Sequence, residues 1–277
     1  MKLTLAFSPC PNDTFIFEPI VNKRIDLGDL DFEIILNDVE QLNKAAIKGS
    51  PDVTKLSFNA YTRLHRQYQL LNSGSALGRN CGPLLITIPG KKDLDVNTLK
   101  VAIPGCNTTA FLLTKYAFPQ AENFIETVFS DIENAVLDGR ADAGVIIHEN
   151  RFTFEQRGLV KIIDLGEYWE NKTMTPIPLG GIAVKRSLPE HIKLQVDSIM
   201  TKSVQYAFDH PQSGLEYIRN HAQEMDEKVM YAHINLYVNE FTKDLGVEGK
   251  NAVMTLFRSV YADFGEQEGN DLFVNTQ

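Results

Sequence analysis

The chain has 277 residues, of which 43% are hydrophobic and 23% charged, and its formal net charge is −9. These values are typical of a globular protein with a sizeable core, built as one large domain or as two lobes. The negative charge argues against a nucleic-acid-binding protein, which usually carries a basic face, and no apolar run is long enough for a transmembrane helix. We therefore expect neither a nucleic acid nor a membrane as a partner.

The first two thirds of the chain alternate between strand-like and helix-like patterns, which predicts an α/β protein with mostly parallel sheets. Two capping boxes, Ser130 with Glu133 and Ser187 with Glu190, are predicted to open helices. The predicted strands cover residues 2–7, 31–36, 52–56, 69–73, 83–88, 99–103, 125–129, 143–147, 159–164 and 180–185. The predicted helices between them cover residues 14–22, 39–48, 59–66, 109–117 and 131–138.

The last third of the chain changes character, because it contains amphipathic patterns and no convincing strand. Its polar tail after residue 264 is expected to be loose, although Leu272–Val274 is apolar enough to dock. The predicted helices here cover residues 189–208, 211–223, 225–243 and 247–264.

Two stretches share one architecture: an apolar β-run, a polar loop with proline, and then a helix. They open the chain at residue 2 and recur at residue 99. Two such openings predict two α/β lobes with a ligand cleft between them. We place the first lobe at residues 1–88 plus 178–277 and the second at residues 89–177. Two connections that cross the cleft would make it a hinge.

Four loops that follow predicted strands are rich in hydrogen-bond donors, two from each lobe. Ligands of open α/β sheets bind beyond the carboxyl ends of strands, where loops lead into helix N-termini. The loops are SPCPND (8–13), TKLSFN (54–59), PGCNTT (104–109) and IIHEN (146–150).

Small polar residues in these loops are predicted to cap helices. They are Asn12 or Asp13, Ser57, and Thr108 or Thr109. Any one of them has an ordinary explanation, because helix N-caps use these residue types for stability alone. Several helix N-termini facing one cleft would instead bind an anion, such as the carboxylate of a small molecule, and Asn12 and Asp13 are then predicted to be among the residues that contact it. Lys55 is either a further positive charge at this site or a solvated surface lysine.

His148 ends the apolar run AGVII, so it is predicted to lie at the mouth of a buried strand. The ordinary pKa of histidine is near neutral, which suits a residue that accepts a proton. Glu149 and Arg151 follow in the same loop. The other five histidines are interpreted as surface or packing residues: His65, His191, His210, His221 and His233.

Metal and redox motifs are absent from the sequence: it has no HExxH, no cluster of cysteine and histidine, and no Walker A sequence. We therefore expect no metal. The three cysteines (Cys10, Cys81 and Cys106) are far apart and fit a reducing compartment, and the N-terminal residues lack the pattern of a secretory signal. These features predict a cytoplasmic protein. Its oligomeric state, monomer or homodimer, stays open.

Five motifs, in order and at matching spacing from about residue 3 to residue 264, resemble the 1,4-dihydroxy-6-naphthoate synthases of the futalosine route to menaquinone. The first and last of them are the most specific. The motifs are SPCPNDTFIF (8–17), TKLSFNAY (54–61), SGSALGRNCGPLL (73–85), IPGCNTTAFLL (103–113) and IIHENRFTF (146–154).

The resemblance implies a two-lobed type II periplasmic-binding-protein-like fold with a central ligand cleft. It implies a lyase that needs no cofactor and cleaves a carbon–carbon bond of cyclic dehypoxanthine futalosine to give 1,4-dihydroxy-6-naphthoate. Carried over by motif, His148 is the general base. The substrate contacts implied are Lys55, Leu56, Ser57, Thr108, Thr109 and Ala110.

Three other functions fit this fold. A non-catalytic carboxylate-binding protein would call for an export signal and gives no role to His148. The chorismate dehydratase of the same pathway also uses a carboxylate substrate, but the stretches at 8–15 and 146–152 fit it less well. A regulatory ligand-binding domain normally comes with a DNA-binding module, which this acidic chain lacks.

Overall fold

The computed structural model describes residues 1–222, 226–261, 265, 269 and 271–275, apart from the side chains of His148 and Glu149. The strands are β1 Lys2–Phe7, β2 Asp31–Leu36, β3 Val53–Ser57, β4 Tyr68–Leu70, β5 Ala76–Gly78, β6 Leu84–Thr87, β7 Val101–Ile103, β8 Phe124–Glu126, β9 Ala143–Ile146, β10 Val160–Asp164 and β11 Ile177–Lys185. The helices are α1 Pro11–Val21, α2 Val39–Ile47, α3 Phe58–Leu64, α4 Thr109–Ala117, α5 Ile132–Leu137, α6 Leu165–Thr173, α7 Glu190–Asp209, α8 Leu215–Arg219, α9 Glu227–Tyr237, α10 Glu240–Lys243 and α11 Gly246–Val260.

The chain divides into two compact units, each with its own sheet. The first unit is Met1–Gly78 with Pro178–Gln277, and the second is Arg79–Ile177. Residues 79–88, assigned above to the first lobe, contribute β6 to the sheet of the second unit. The common cleft between lobes stays a prediction.

The sheet of the first unit has the order β2-β1-β3-β11-β4, and β5 pairs with β11. Strand β1 is parallel to β2 and β3, whereas β11 is antiparallel to β3 and β4. Phe7 of β1 stacks on Phe17 of α1 with ring centroids 4.2 Å apart. Both side chains are buried, and α7 packs on the same core through Val204. These contacts hold α1 against the sheet.

The sheet of the second unit has the order β10-β6-β9-β7-β8. Its β7 strand is parallel to both neighbours, and the pairs of β6 with β9 and with β10 are antiparallel. Both sheets are therefore mixed, and the prediction of mostly parallel sheets is wrong. The reason is that β6 and β11 come shortly after the two points where the chain passes from one unit to the other. Each is antiparallel to both of its neighbours in the strand order of its sheet.

Helix α5 begins at Ile132 after a 3-10 turn, and its N-cap residue is Asp131, whose side chain makes no capping bond. The N-cap residue of α7 is Pro189, which likewise makes no side-chain capping bond. Both predicted capping boxes, at Ser130 and Ser187, are therefore wrong.

Two predicted C-terminal helices differ from those observed. The helix predicted at 211–223 reduces to α8, and the one at 225–243 divides at Asn239, which caps α10. The ends predicted at 223, 225 and 262–264 lie outside the described residues.

Leu272–Val274 docks as predicted. Its three side chains are buried, the amide of Val274 donates to the carbonyl of Leu70 at 2.8 Å, and Phe273 bridges in parallel to Leu70. This segment covers the free edge of β4 in the first unit. No helix in the described part of the chain is long and apolar enough to span a membrane.

Candidate functional site

The loop between β1 and α1 buries a carboxylate. Asp13 is 1% exposed and accepts hydrogen bonds from Ser8 Oγ at 2.6 Å, Asn12 Nδ2 at 2.8 Å and Lys55 Nζ at 2.8 Å. Helix α1 starts one residue after Cys10, with Pro11 at its first position. Asn12 and Asp13 therefore lie inside the first turn, and the prediction that one of them caps α1 is wrong. Their side chains instead form a polar network with β3.

Lys55 is buried on β3, with 5% of its surface exposed. Within the described part of the chain, its ammonium has one hydrogen-bond partner, Asp13 Oδ1 at 2.8 Å. An ammonium carries three N–H donors, so two remain for a ligand. Burying a charged pair costs desolvation free energy, which the short bond between the two charges and the further hydrogen bonds to Asp13 offset. Of the two alternatives that the sequence left open for Lys55, the solvated surface lysine is therefore excluded.

Ser57 lies two residues beyond Lys55, so both side chains are on the same face of β3. Asn43 of α2 holds Ser57 twice: its Oδ1 accepts from the Ser57 amide at 3.0 Å and its Nδ2 donates to Ser57 Oγ at 3.1 Å. Ser57 is the N-cap residue of α3, but its hydroxyl makes no capping bond. Leu56 between them points to the opposite face and is fully buried.

Space for the Lys55 side chain comes from Gly180 on β11. Gly180 pairs with Ser57 across the sheet. A Cβ at Gly180 would lie 3.2 Å from Lys55 Cε and 2.8 Å from the carbonyl oxygen of Leu56. Any larger residue would therefore push both β3 and the lysine.

In the second unit, Thr108 caps α4 as predicted. Its hydroxyl accepts from the amide of Phe111 at 3.2 Å and donates to the carbonyl of Gly105 at 2.7 Å. Thr109 is the first helical residue, and Thr109 and Ala110 are both buried. The partial positive charge of the helix N-terminus lies at these residues and favours an anion there.

His148 begins a 3-10 helix, His148–Phe152, directly after β9, and its side chain lies outside the described residues. One hydrogen bond and one ion pair anchor this turn. Asn150 Nδ2 donates to Glu133 Oε2, which also accepts from Arg157 Nη1, each at 2.8 Å. Arg151 pairs with Asp164 Oδ2 at 2.9 Å and donates to the carbonyl of Gly82. The residues that follow His148 in this turn are thus tied to α5 through Glu133 and to the start of α6 through Asp164.

The contacts of four residues were not predicted from the sequence: Asn43, Glu133, Asp164 and, in the network of Asn12 and Asp13, His233. Asp164 had a sequence signal, since it begins the capping pattern Asp164-x-x-Glu167, and its Oδ1 accepts from the amides of Gly166 and Glu167. The others had none, because their partners are distant in sequence.

Within the described residues, no group of three or more histidine, cysteine, aspartate and glutamate side chains is placed to hold a metal ion. Cys10 and Cys81 are buried and Cys106 is exposed. Burial raises the pKa of the Cys81 thiol to about 12, so this cysteine is not a nucleophile at neutral pH.

Comparison with known proteins agrees with the sequence motifs. The family model described as menaquinone biosynthesis matches residues 3–262. A 1,4-dihydroxy-6-naphthoate synthase of Thermus thermophilus is 44% identical over 261 residues, which are 94% of this chain and 94% of that protein. The protein of the same name from Streptomyces coelicolor is 40% identical over 266 residues, 94% of this chain and 93% of its own length.

Solved structures give the fold. A protein from Archaeoglobus fulgidus aligns with a TM-score of 0.89 at 30% identity, covering 94% of this chain and 97% of its own. A Candida albicans protein described as having the generic periplasmic binding protein fold aligns with a TM-score of 0.66 at 14% identity. The alignment covers 100% of this chain and 96% of that protein. The predicted α/β fold of the periplasmic-binding-protein type is confirmed.

Proposed function

Because the chain is an enzyme of the menaquinone-biosynthesis family, we propose that it is a 1,4-dihydroxy-6-naphthoate synthase. The observation that carries this proposal is the 44% identity to the Thermus thermophilus synthase over 94% of both chains. Its substrate is cyclic dehypoxanthine futalosine, and its reaction is the cleavage of a carbon–carbon bond. A cytoplasmic location and the absence of a cofactor stay predictions.

The substrate carries a carboxylate, and the first unit supplies donors for it. Lys55 has two N–H donors left after its bond to Asp13 Oδ1. Asp13 already offsets the charge of Lys55, so the lysine binds the carboxylate through directed, charge-assisted hydrogen bonds more than through excess positive charge. Ser57 supplies a hydroxyl on the same face of β3. In the second unit, Thr108, Thr109 and Ala110 supply the N-terminus of α4.

His148 is the general base in this proposal. A neutral imidazole removes a proton from the bound substrate, and the electrons released drive the carbon–carbon cleavage. Formation of an aromatic ring in the product favours the fragmentation. The anchors at Glu133 and Asp164 support this role, because a base must be held close to the proton that it removes.

The test is a substrate comparison with the purified protein. We expect cyclic dehypoxanthine futalosine to be consumed and 1,4-dihydroxy-6-naphthoate to appear, measured by absorbance and mass, while chorismate is unchanged. Conversion of chorismate instead would identify the dehydratase of the same pathway. Retention of either compound without any product would identify a carboxylate-binding protein.

A further inference from the structure

His233 is a buried histidine in the same network as Lys55. It lies on α9, its side chain is 0% exposed, and its Nε2 is 2.8 Å from Asn12 Oδ1. Its ring also contacts Tyr237, with centroids 4.6 Å apart. Of the two interpretations of His233, as a surface or as a packing residue, burial supports packing. Packing alone does not account for the hydrogen bond to the amide beside Asp13.

The direction of each hydrogen bond in this network follows from chemistry. Asp13 is a carboxylate paired with Lys55, so it only accepts, and the atom of Asn12 that faces it must be the amide nitrogen. The Nδ2–Oδ1 distance between Asn12 and Asp13 is 2.8 Å. Asn12 then turns its oxygen to His233, so His233 must donate from Nε2. The proton on Nε2 is therefore fixed by the network.

A chain of contacts thus runs from α9 to β3. His233 orients the amide of Asn12, and the amide shares Asp13 Oδ1 with Lys55 Nζ. Without His233, Asn12 Oδ1 loses its donor and the amide is free to rotate. The amide would then be held at one end only, by its own bond to Asp13 Oδ1. The orientation of the Asp13 carboxylate, and with it that of the Lys55 ammonium, would be less well fixed.

We propose that His233 is a positioning residue, which keeps the Lys55 ammonium aimed at the substrate carboxylate through Asn12 and Asp13. This inference rests on the proposed function of Lys55 as a substrate contact. It assigns to His233 an effect on substrate binding and none on the chemical step.

Kinetics of His233→Phe and His233→Gln separate positioning from packing. Phenylalanine fills the space without a donor, and we expect the KM for cyclic dehypoxanthine futalosine to rise about tenfold while kcat changes by less than about twofold. Glutamine restores an N–H donor, and we expect it to return KM to within about threefold of wild type. Ile234→Val, a change at a buried neighbour on α9, is the matched control and should leave KM unchanged.

Two further measurements keep the test decisive. His233→Met, which also lacks a donor, replaces His233→Phe if that variant does not fold. Imidazole ¹⁵N NMR of the unliganded wild-type protein reports the Nε2 proton without any turnover. A wild-type KM in both donor-free variants, or a His233 Nε2 without its proton, would overturn the inference. A wild-type protein that makes no product would instead overturn the proposed function.

Discussion

The Ser57 hydroxyl keeps its hydrogen available for donation because Asn43 occupies one of its acceptor positions. Asn43 Oδ1 accepts from the Ser57 amide, so the nitrogen of the same side chain must face Ser57 Oγ and donate to it. Within the described residues, no further partner takes the hydroxyl hydrogen. Ser57 is thus set as a donor before any ligand arrives.

Ser57→Ala tests this donor. We expect KM for the substrate to rise about tenfold, the usual effect of losing one hydrogen bond to a charged ligand, with little change in folding. The matched control is Thr54→Val, which removes a buried hydroxyl from the opposite face of β3. Steady-state kinetics of both variants check the prediction, which fails if the two variants have the same KM.

The sequence was informative about which residue types lie in the loops and uninformative about what they touch. Thr108 caps α4 as its position after a strand predicts. The sequence indicated that Asp13 could cap a helix. In the structure its buried carboxylate accepts a hydrogen bond from Lys55, which is 42 positions away. The partner of Asn12 is His233, 221 positions away. No local pattern encodes such pairs, because they arise from packing of separate elements.

At the scale of the elements, Asp52 ties three strands together at the start of β3. Its Oδ2 accepts from the amide and the hydroxyl of Thr4, each at 2.9 Å, and its Oδ1 from Lys185 Nζ at 3.2 Å. Burial alone would raise the pKa of Asp52, but these hydrogen bonds and the Lys185 charge outweigh it, so the pKa lies below its usual value.

Asp52→Asn should show a pH-dependent loss of stability. A lowered folded-state pKa contributes stability above the unfolded pKa, near 4, and that contribution is lost as the pH falls through the folded value. We expect the variant to be less stable by about 1 kcal/mol at neutral pH and the difference to shrink below about pH 4. Urea unfolding across this range measures it. A constant difference at all pH values would show that the charge of Asp52 is not the cause.

Most elements followed from periodicity, because β1, β2 and α4 have clear apolar patterns and clear ends. Helix α6 was missed, since its sequence LGEYWENKT buries only Leu165, Gly166 and Trp169 and lacks a strong apolar stripe. Strand direction was also missed. Direction depends on how the chain returns to a sheet, and the alternation of strands and helices does not specify this for β6 and β11.

At the scale of the whole molecule, the first unit covers the edge of its sheet with a segment that is distant in sequence. In the first unit, Leu70 of β4 pairs with Phe273, and Tyr61 donates to the carbonyl of Leu272 at 2.7 Å. The apolar residues at 272–274 indicated docking, but their register on β4 required the structure. The resemblance of five motifs to one enzyme family supplied the function, which composition and periodicity alone did not reach.

The proposed mechanism depends most directly on His148, and the decisive measurement compares kcat and substrate Kd for wild type and His148→Asn. We predict that Kd stays within about threefold of wild type, because Lys55 and Ser57 are intact, and that kcat falls by about a hundredfold or more, the usual contribution of a general base. His191→Asn, a change at an exposed histidine, is the control and should match wild type. A His148→Asn variant that binds substrate normally and turns it over near the wild-type rate would contradict the account.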